Sequence, residues 1–158
     1  MRETAYFAAG CFWGVEQAFR QTKGVTDTEV GYTAGHANNP NYEQVCAKKT
    51  GHAEGVKVTY DPTVISYEQL LTLFWEIHDP TQVNRQGPDI GDQYRSGIYT
   101  VNDNQLLLAQ KSRDAENKSE RHKAPIATQI ETLRDWWPAE DYHQQYFEKR
   151  GGGACNLH

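Results

Sequence analysis

Apolar and polar residues alternate along this chain with two different periods, and the switches between them outline its elements. Thr4-Ala5-Tyr6-Phe7-Ala8-Ala9 is a short, almost wholly apolar run that reads as a buried strand over 4–9. Next, Val15, Ala18 and Phe19 recur at i, i+3 and i+4, which predicts a helix over 13–21. A strand is expected over 27–33, then a Gly/Asn/Pro-rich turn through 35–40 and a short helix starting near Tyr42. Residues 53–60 alternate as a strand and are closed by Asp61-Pro62. Ser66 followed by Gln69 has the form of a capping box, opening an amphipathic helix through Leu70, Leu71, Phe74 and Ile77 to about His78. Residues 79–95 read as a long polar loop, of the kind that usually carries function in a compact domain. Beyond it come a strand over 97–101, a helix over 104–121, a late edge strand within 125–133 and a short helix over 139–148.

The order strand, helix, strand, strand, helix, strand predicts an α+β fold. The expected form is a ferredoxin-like two-layer sandwich: a mainly antiparallel sheet, helices packed on it and a long irregular C-terminal segment. No repeat or linker divides the chain, so residues 1–158 are expected to form a single domain. Within it, 149–158 is expected to be a flexible Gly-rich tail carrying Cys155.

Composition narrows the function. A chain of 158 residues can bury one real core. Its net charge of −5, with no long basic run, argues against nucleic acid or an anionic membrane as the main partner. No segment approaches the length of a membrane-spanning helix, and the first strand begins too early to leave room for a secretory signal. Three scattered cysteines, Cys11, Cys46 and Cys155, do not make a disulfide framework. A reducing, cytoplasmic setting is therefore expected, in which a disulfide would be transient and chemical. No Cys/His spacing suits zinc, and His52-x-Glu54 lacks the downstream Pro-Cys-x-x-Cys of a deaminase, so no metal is expected.

The most informative stretch is Gly10-Cys11-Phe12-Trp13-Gly14. Cys11 falls where the first strand gives way to the first helix. Unpaired peptide N–H groups and the positive end of the helix dipole favour an anion there, and the thiolate is the nucleophilic form of cysteine. Gly10 allows a sharp turn, and Phe12 and Trp13 add an apolar wall beside the sulfur. The alternative is a small buried hydrophobe, the commonest fate of a cysteine.

Other residues admit two readings each. Glu54 is either a partly buried acid able to donate a proton or a surface glutamate on an edge strand. Tyr42 and Tyr94, both in polar segments, can donate hydrogen bonds without ionising, or simply pack. Asp89 could orient a phenol or a water, or only shape a turn. Cys46 sits at an apolar helical position and reads as core or incidental. Cys155, behind Gly151-Gly152-Gly153, is an incidental thiol or a mobile one that can reach Cys11.

Taken together, these residues resemble the A-type peptide methionine sulfoxide reductases. The matching segments begin with Gly10-Cys11-Phe12-Trp13-Gly14, Gly31-Tyr32, Asn39-Pro40-Asn41-Tyr42 and Thr50-Gly51-His52-Ala53-Glu54. They continue through His78-Asp79-Pro80-Thr81-Gln82, Asn84-Arg85-Gln86-Gly87, Asp89, Gln93-Tyr94-Arg95-Ser96 and Tyr142-His143-Gln144-Gln145-Tyr146. This ordered set runs through nearly the whole chain.

The resemblance implies reduction of methionine S-sulfoxide, free or in proteins. Cys11 would attack sulfur, and Glu54 would protonate the oxygen held by Tyr42 and Tyr94. Asp89 would organise the polar network, and Phe12 and Trp13 would receive the terminal methyl. Cys155 would resolve the resulting sulfenic acid as a disulfide. Thioredoxin, or dithiothreitol in vitro, would be the reductant, with no bound cofactor; a monomer is the simplest expectation from the sequence. One departure, Ala34 before Gly35 where paired glycines are frequent, is expected to be harmless. The second is the tail, where Gly-Gly-Gly-Ala-Cys replaces an Asn-Gly-Tyr-Cys-like pattern. Two rivals remain at this point: a cysteine hydrolase using a histidine base, and a module that binds oxidised methionine without turnover.

Overall fold

The computed structural model describes residues 2–47 and 50–146, so Cys155 and the tail expected over 149–158 lie outside the described residues. Eight strands and four helices follow one another along them. They are β1 (Glu3–Ala9), α1 (Phe12–Arg20), β2 (Val25–Thr33), α2 (Tyr42–Cys46), β3 (Ala53–Tyr60) and α3 (Tyr67–Glu76). After these come β4 (Arg85–Gln86), β5 (Asp89–Ile90), β6 (Ser96–Thr100), α4 (Asp103–Lys118), β7 (Gln129–Thr132) and β8 (Trp137–Pro138).

Six strands form one sheet in the order β7-β6-β1-β3-β2-β8, and β4 and β5 form a separate hairpin. Every pairing in the large sheet is antiparallel except β6 with β7. The α+β class with a mainly antiparallel sheet is therefore as expected. Two crossovers, β1-α1-β2 and β3-α3-β6, interleave so that β1 and β3 lie side by side at the centre.

The period of two along β1 explains this centre. Ala5, Phe7 and Ala9 face the helices, whereas Tyr6 and Ala8 face the opposite side and pack with Tyr99 and Trp136. Phe7 stacks on Phe19 of α1 with ring centroids 5.1 Å apart and meets Phe74 of α3 at 5.3 Å. One residue thereby ties both helices to the sheet. Local signals set the helix starts. Ser66 and Gln69 bond reciprocally at the start of α3, and Asn41 and Gln44 do the same for α2.

Three segments differ from the sequence pattern. The loop over 79–95 is ordered by the β4–β5 hairpin and a 3₁₀ turn at Asp92–Tyr94. Of the helix expected over 139–148, residues 139–145 hold only a 3₁₀ turn at Asp141–His143, and 147–148 lie outside the described residues. The Gln144 side chain instead bonds the Val30 N–H and C=O, and Gln145 has φ +53°, which no right-handed helix accommodates. The third difference is β8, which adds an edge strand across Gly31 and Tyr32. A Cβ on Gly31 would stand 2.6 Å from the Trp137 carbonyl, so this docking needs glycine.

Ala34 is not harmless. Its φ of +67° lies in the left-handed region, where a Cβ costs about 1–2 kcal/mol. Ala34→Gly should therefore raise stability by about 0.5 kcal/mol, after subtracting the extra chain entropy that glycine loses on folding. Thermal unfolding checks this, and a lower melting temperature for the variant would contradict it.

Candidate active site

The site is assembled at one end of the sheet, where β1 and β2 finish and β3 and β6 begin. Gly10, at φ +97°, turns the chain out of β1 so that Cys11 becomes the N-cap of α1. The turn fits tightly: a Cβ on Gly10 would lie 2.8 Å from Cγ of Gln86 in β4. Cys11 is partly exposed, and no side chain of its own caps the helix, so the sulfur is not used up in that structural role.

Strand register brings Glu54 to the same place. Glu54 is directly opposite Tyr32 in the β2–β3 ladder and shares a sheet face with Val56 and Val58, the face that α1 covers. Its Oε1 accepts the Phe12 N–H at 3.2 Å, the first peptide donor of α1. The carboxyl therefore reaches the residue adjacent to Cys11 across 42 positions of sequence. Glu54 is 1% exposed on a central strand, which removes the edge-strand alternative.

The two tyrosines converge on this carboxyl. Burial, and then the nearby Glu54 charge, push the Tyr42 phenol well above its ordinary value. The Tyr94 phenol is raised by the same two causes in the same order, with smaller contributions from Cys46, Asp89 and Cys11. Both phenols remain protonated donors across the neutral range. Cys46, at the end of α2, is partly exposed and lies near enough to Tyr42 and Tyr94 to influence both phenols, so it is not a core side chain. Burial pushes the Cys46 thiol up, away from the thiolate.

Asp89 stands in β5 on the wall of a cavity of about 510 Å³ that opens beside Cys11, Gly14 and Val15. A slightly larger hollow of about 550 Å³ lies along Asn41, Gln44 and Thr50 and does not reach Cys11; Glu54 lines neither cavity. Phe12 is buried against Tyr32, Tyr42 and His143, whereas Trp13 is partly exposed. All the expected site residues except Cys155 thus belong to one end of the sheet or to the cavity beside it.

Residues of the chain's later part complete the site, and these were not assigned roles from sequence. The Glu140 carboxylate accepts the Tyr32 hydroxyl and the Tyr42 N–H, each at 2.9 Å. His143, fully buried, accepts the Trp13 indole N–H at Nδ1 at 2.9 Å. The only sequence signal was the Tyr142-His143-Gln144-Gln145-Tyr146 segment, which includes His143 but not Glu140 and which local periodicity could not connect to Cys11.

His52, fully buried, and His78, partly buried, are committed elsewhere. His52 accepts the Gly35 N–H at Nδ1 and donates from Nε2 to the Ala37 carbonyl. His78 donates to the Phe74 carbonyl and accepts from Ser96, and burial lowers its pKa to about 4. Neither is placed as a base for Cys11. Among the described residues there is no cluster of three metal-binding side chains, and no helix is long and apolar enough to cross a membrane.

The profile of the peptide methionine sulfoxide reductase family matches residues 3–158. The chain belongs to that family. Peptide methionine sulfoxide reductase MsrA of Methanosarcina acetivorans is 57% identical over 149 residues, 94% of this chain and 79% of that protein. The solved structure of methionine sulfoxide reductase A of Corynebacterium diphtheriae superposes with a TM-score of 0.93 at 40% identity, covering 99% of this chain and 79% of that one. Mxr1 of Saccharomyces cerevisiae, solved in complex with Trx2, matches with a TM-score of 0.65 at 26% identity, over 92% of this chain and 84% of that one.

Glu140 yields a test of how the site is held. Burial alone would raise its carboxyl, but hydrogen bonds from Tyr42 N–H, its own N–H and Tyr32, with His143 nearby, leave it below its ordinary 4.5. A carboxyl lowered by folding contributes stability above its unfolded pKa and loses it as pH falls through the folded value. Glu140→Gln should therefore be less stable than wild type at neutral pH, with the gap closing as pH falls below 4.5. Urea midpoints across that range measure it; a gap independent of pH would contradict it.

Proposed function

We propose that Cys11, Glu54, Tyr42 and Tyr94 carry out the reduction of methionine sulfoxide to methionine, the activity of the family to which the chain belongs. The observation that carries this reading is the Phe12 N–H to Glu54 bond at 3.2 Å, which sets a buried carboxyl next to a helix-capping thiol. A sulfoxide oxygen leaves only if protonated, so the reaction needs a nucleophile and an acid within reach of one S–O bond. The Cys11 thiolate attacks the substrate sulfur. Glu54 supplies a proton to the oxygen, and the Tyr42 and Tyr94 hydroxyls donate hydrogen bonds to it as negative charge develops. Asp89 supports this polar network from the cavity wall, and Phe12 and Trp13 form the apolar side that takes the terminal methyl.

The oxygen ends on Cys11 as sulfenic acid, and methionine leaves. A second thiol then condenses with the sulfenic acid, forming a disulfide and releasing water. Cys155 is assigned that role from the family resemblance, and burial, which disfavours the Cys46 thiolate, argues against Cys46. Thiol exchange with a thioredoxin returns both cysteines to thiols. The yeast relative's complex with Trx2 supports that class of reductant. The S epimer at sulfur is the proposed substrate, and neither the hydrolase nor the binding-module alternative accounts for the paired thiol and acid.

Glu54→Gln should slow methionine release in a single turnover by about 100-fold or more. A rate near wild type at neutral pH would remove Glu54 from the reaction. Cys155→Ser should still release one methionine per molecule but fail to turn over with thioredoxin. Sustained turnover would pass the resolving role to another thiol.

A further inference from the structure

We propose that Glu16 is a positioning residue for the substrate pocket, a clasp that fixes the indole of Trp13 by holding Gln145 and Tyr146 over it; the pocket assignment itself rests on the function proposed above. Glu16 lies on α1 and is 1% exposed, an unusual location for a carboxylate. Oε2 accepts the Thr28 hydroxyl from β2 at 2.7 Å. Oε1 accepts the Gln145 N–H at 2.7 Å, across 129 positions of sequence.

The second bond bears on geometry near Cys11. Gln145 has φ +53°, a left-handed conformation that is unfavourable for a residue with a Cβ. Such a residue persists only where its surroundings hold it, and Glu16 grips its N–H while the Gln144 side chain grips Val30. The next residue is Tyr146. Its ring lies flat on the Trp13 indole, with centroids 3.8 Å apart and planes 7° from parallel. Two residues earlier than Gln145, His143 accepts the Trp13 indole N–H.

Trp13 and Glu16 are three positions apart, so they project from the same side of α1. The 143–146 segment therefore crosses the helix between them, fixed to Glu16 at one point and to Trp13 at two. Glu16 touches neither Cys11 nor Glu54 through any of these bonds. Its action runs through the backbone of Gln145 to the face of Trp13.

The test uses the full-length reduced protein and follows the Trp13 indole N–H signal in a ¹H–¹⁵N spectrum, assigned with Trp13→Phe. Glu16→Leu, close in size but without acceptors, should shift that signal and raise KM for methionine sulfoxide about three- to tenfold. The rate at saturation should stay within about twofold, because the reacting groups are untouched. Glu16→Gln keeps an oxygen for Gln145 N–H and should leave the signal and KM near wild type. If Glu16→Leu does not fold, Tyr146→Leu removes the stack directly and should give the same shift and the same rise in KM. An unmoved Trp13 signal in Glu16→Leu, or in Tyr146→Leu where the first variant fails, overturns the clasp. A shifted signal with unchanged KM, in a protein where Trp13→Ala also leaves KM unchanged, instead overturns the placing of Trp13 at the substrate and with it the clasp's role in binding.

Discussion

A carboxyl group carried in on the sheet accepts the first peptide N–H of the helix that Cys11 caps, and the arrangement of the site depends on that bond. The start of a helix leaves backbone donors without partners. In this protein Glu54 takes one of them, at Phe12. That satisfies a buried donor and, by the same contact, fixes the distance between the acid and the thiol. Neither the carboxyl nor the start of α1 could move far without leaving an unmade hydrogen bond in a buried place.

The contact exists because of strand register. Glu54 begins β3 opposite Tyr32, β1 runs antiparallel beside β3, and its end delivers the chain through Gly10 to Cys11. A slip of one residue in β3 would send Glu54 to the opposite face, away from α1. The apolar run of Val56, Val58 and Tyr60 on that face prevents the slip, so core packing and site geometry are set by the same alternation. Tyr42 at the start of α2 and Tyr94 in a 3₁₀ turn lie near the carboxyl, and a late segment fastens Tyr42 through Glu140 and Trp13 through His143.

Much of this was legible in the sequence, for local reasons. Cys11 was placed at a helix start by the spacing of Val15, Ala18 and Phe19, and α3 by its Ser66–Gln69 capping box. Ala34 was misjudged because its cost is a backbone angle, which composition does not reveal. Glu54 remained ambiguous because burial depends on which strands become central. Glu16, Glu140 and His143 were invisible as site components because their partners lie roughly a hundred or more positions away. Residues 139–145 do not form the expected helix for a related reason: Gln144 and Gln145 are consumed by contacts to β2 and α1 that override local preference.

The most direct test of the central claim is the pH dependence of single-turnover methionine release in wild type and Glu54→Gln. A proton-donating Glu54 predicts a wild-type rate that falls at high pH as the acid ionises, and a slower variant rate that lacks this descent. The same descending limb in both proteins would show that the hydrogen reaching the sulfoxide oxygen comes from elsewhere.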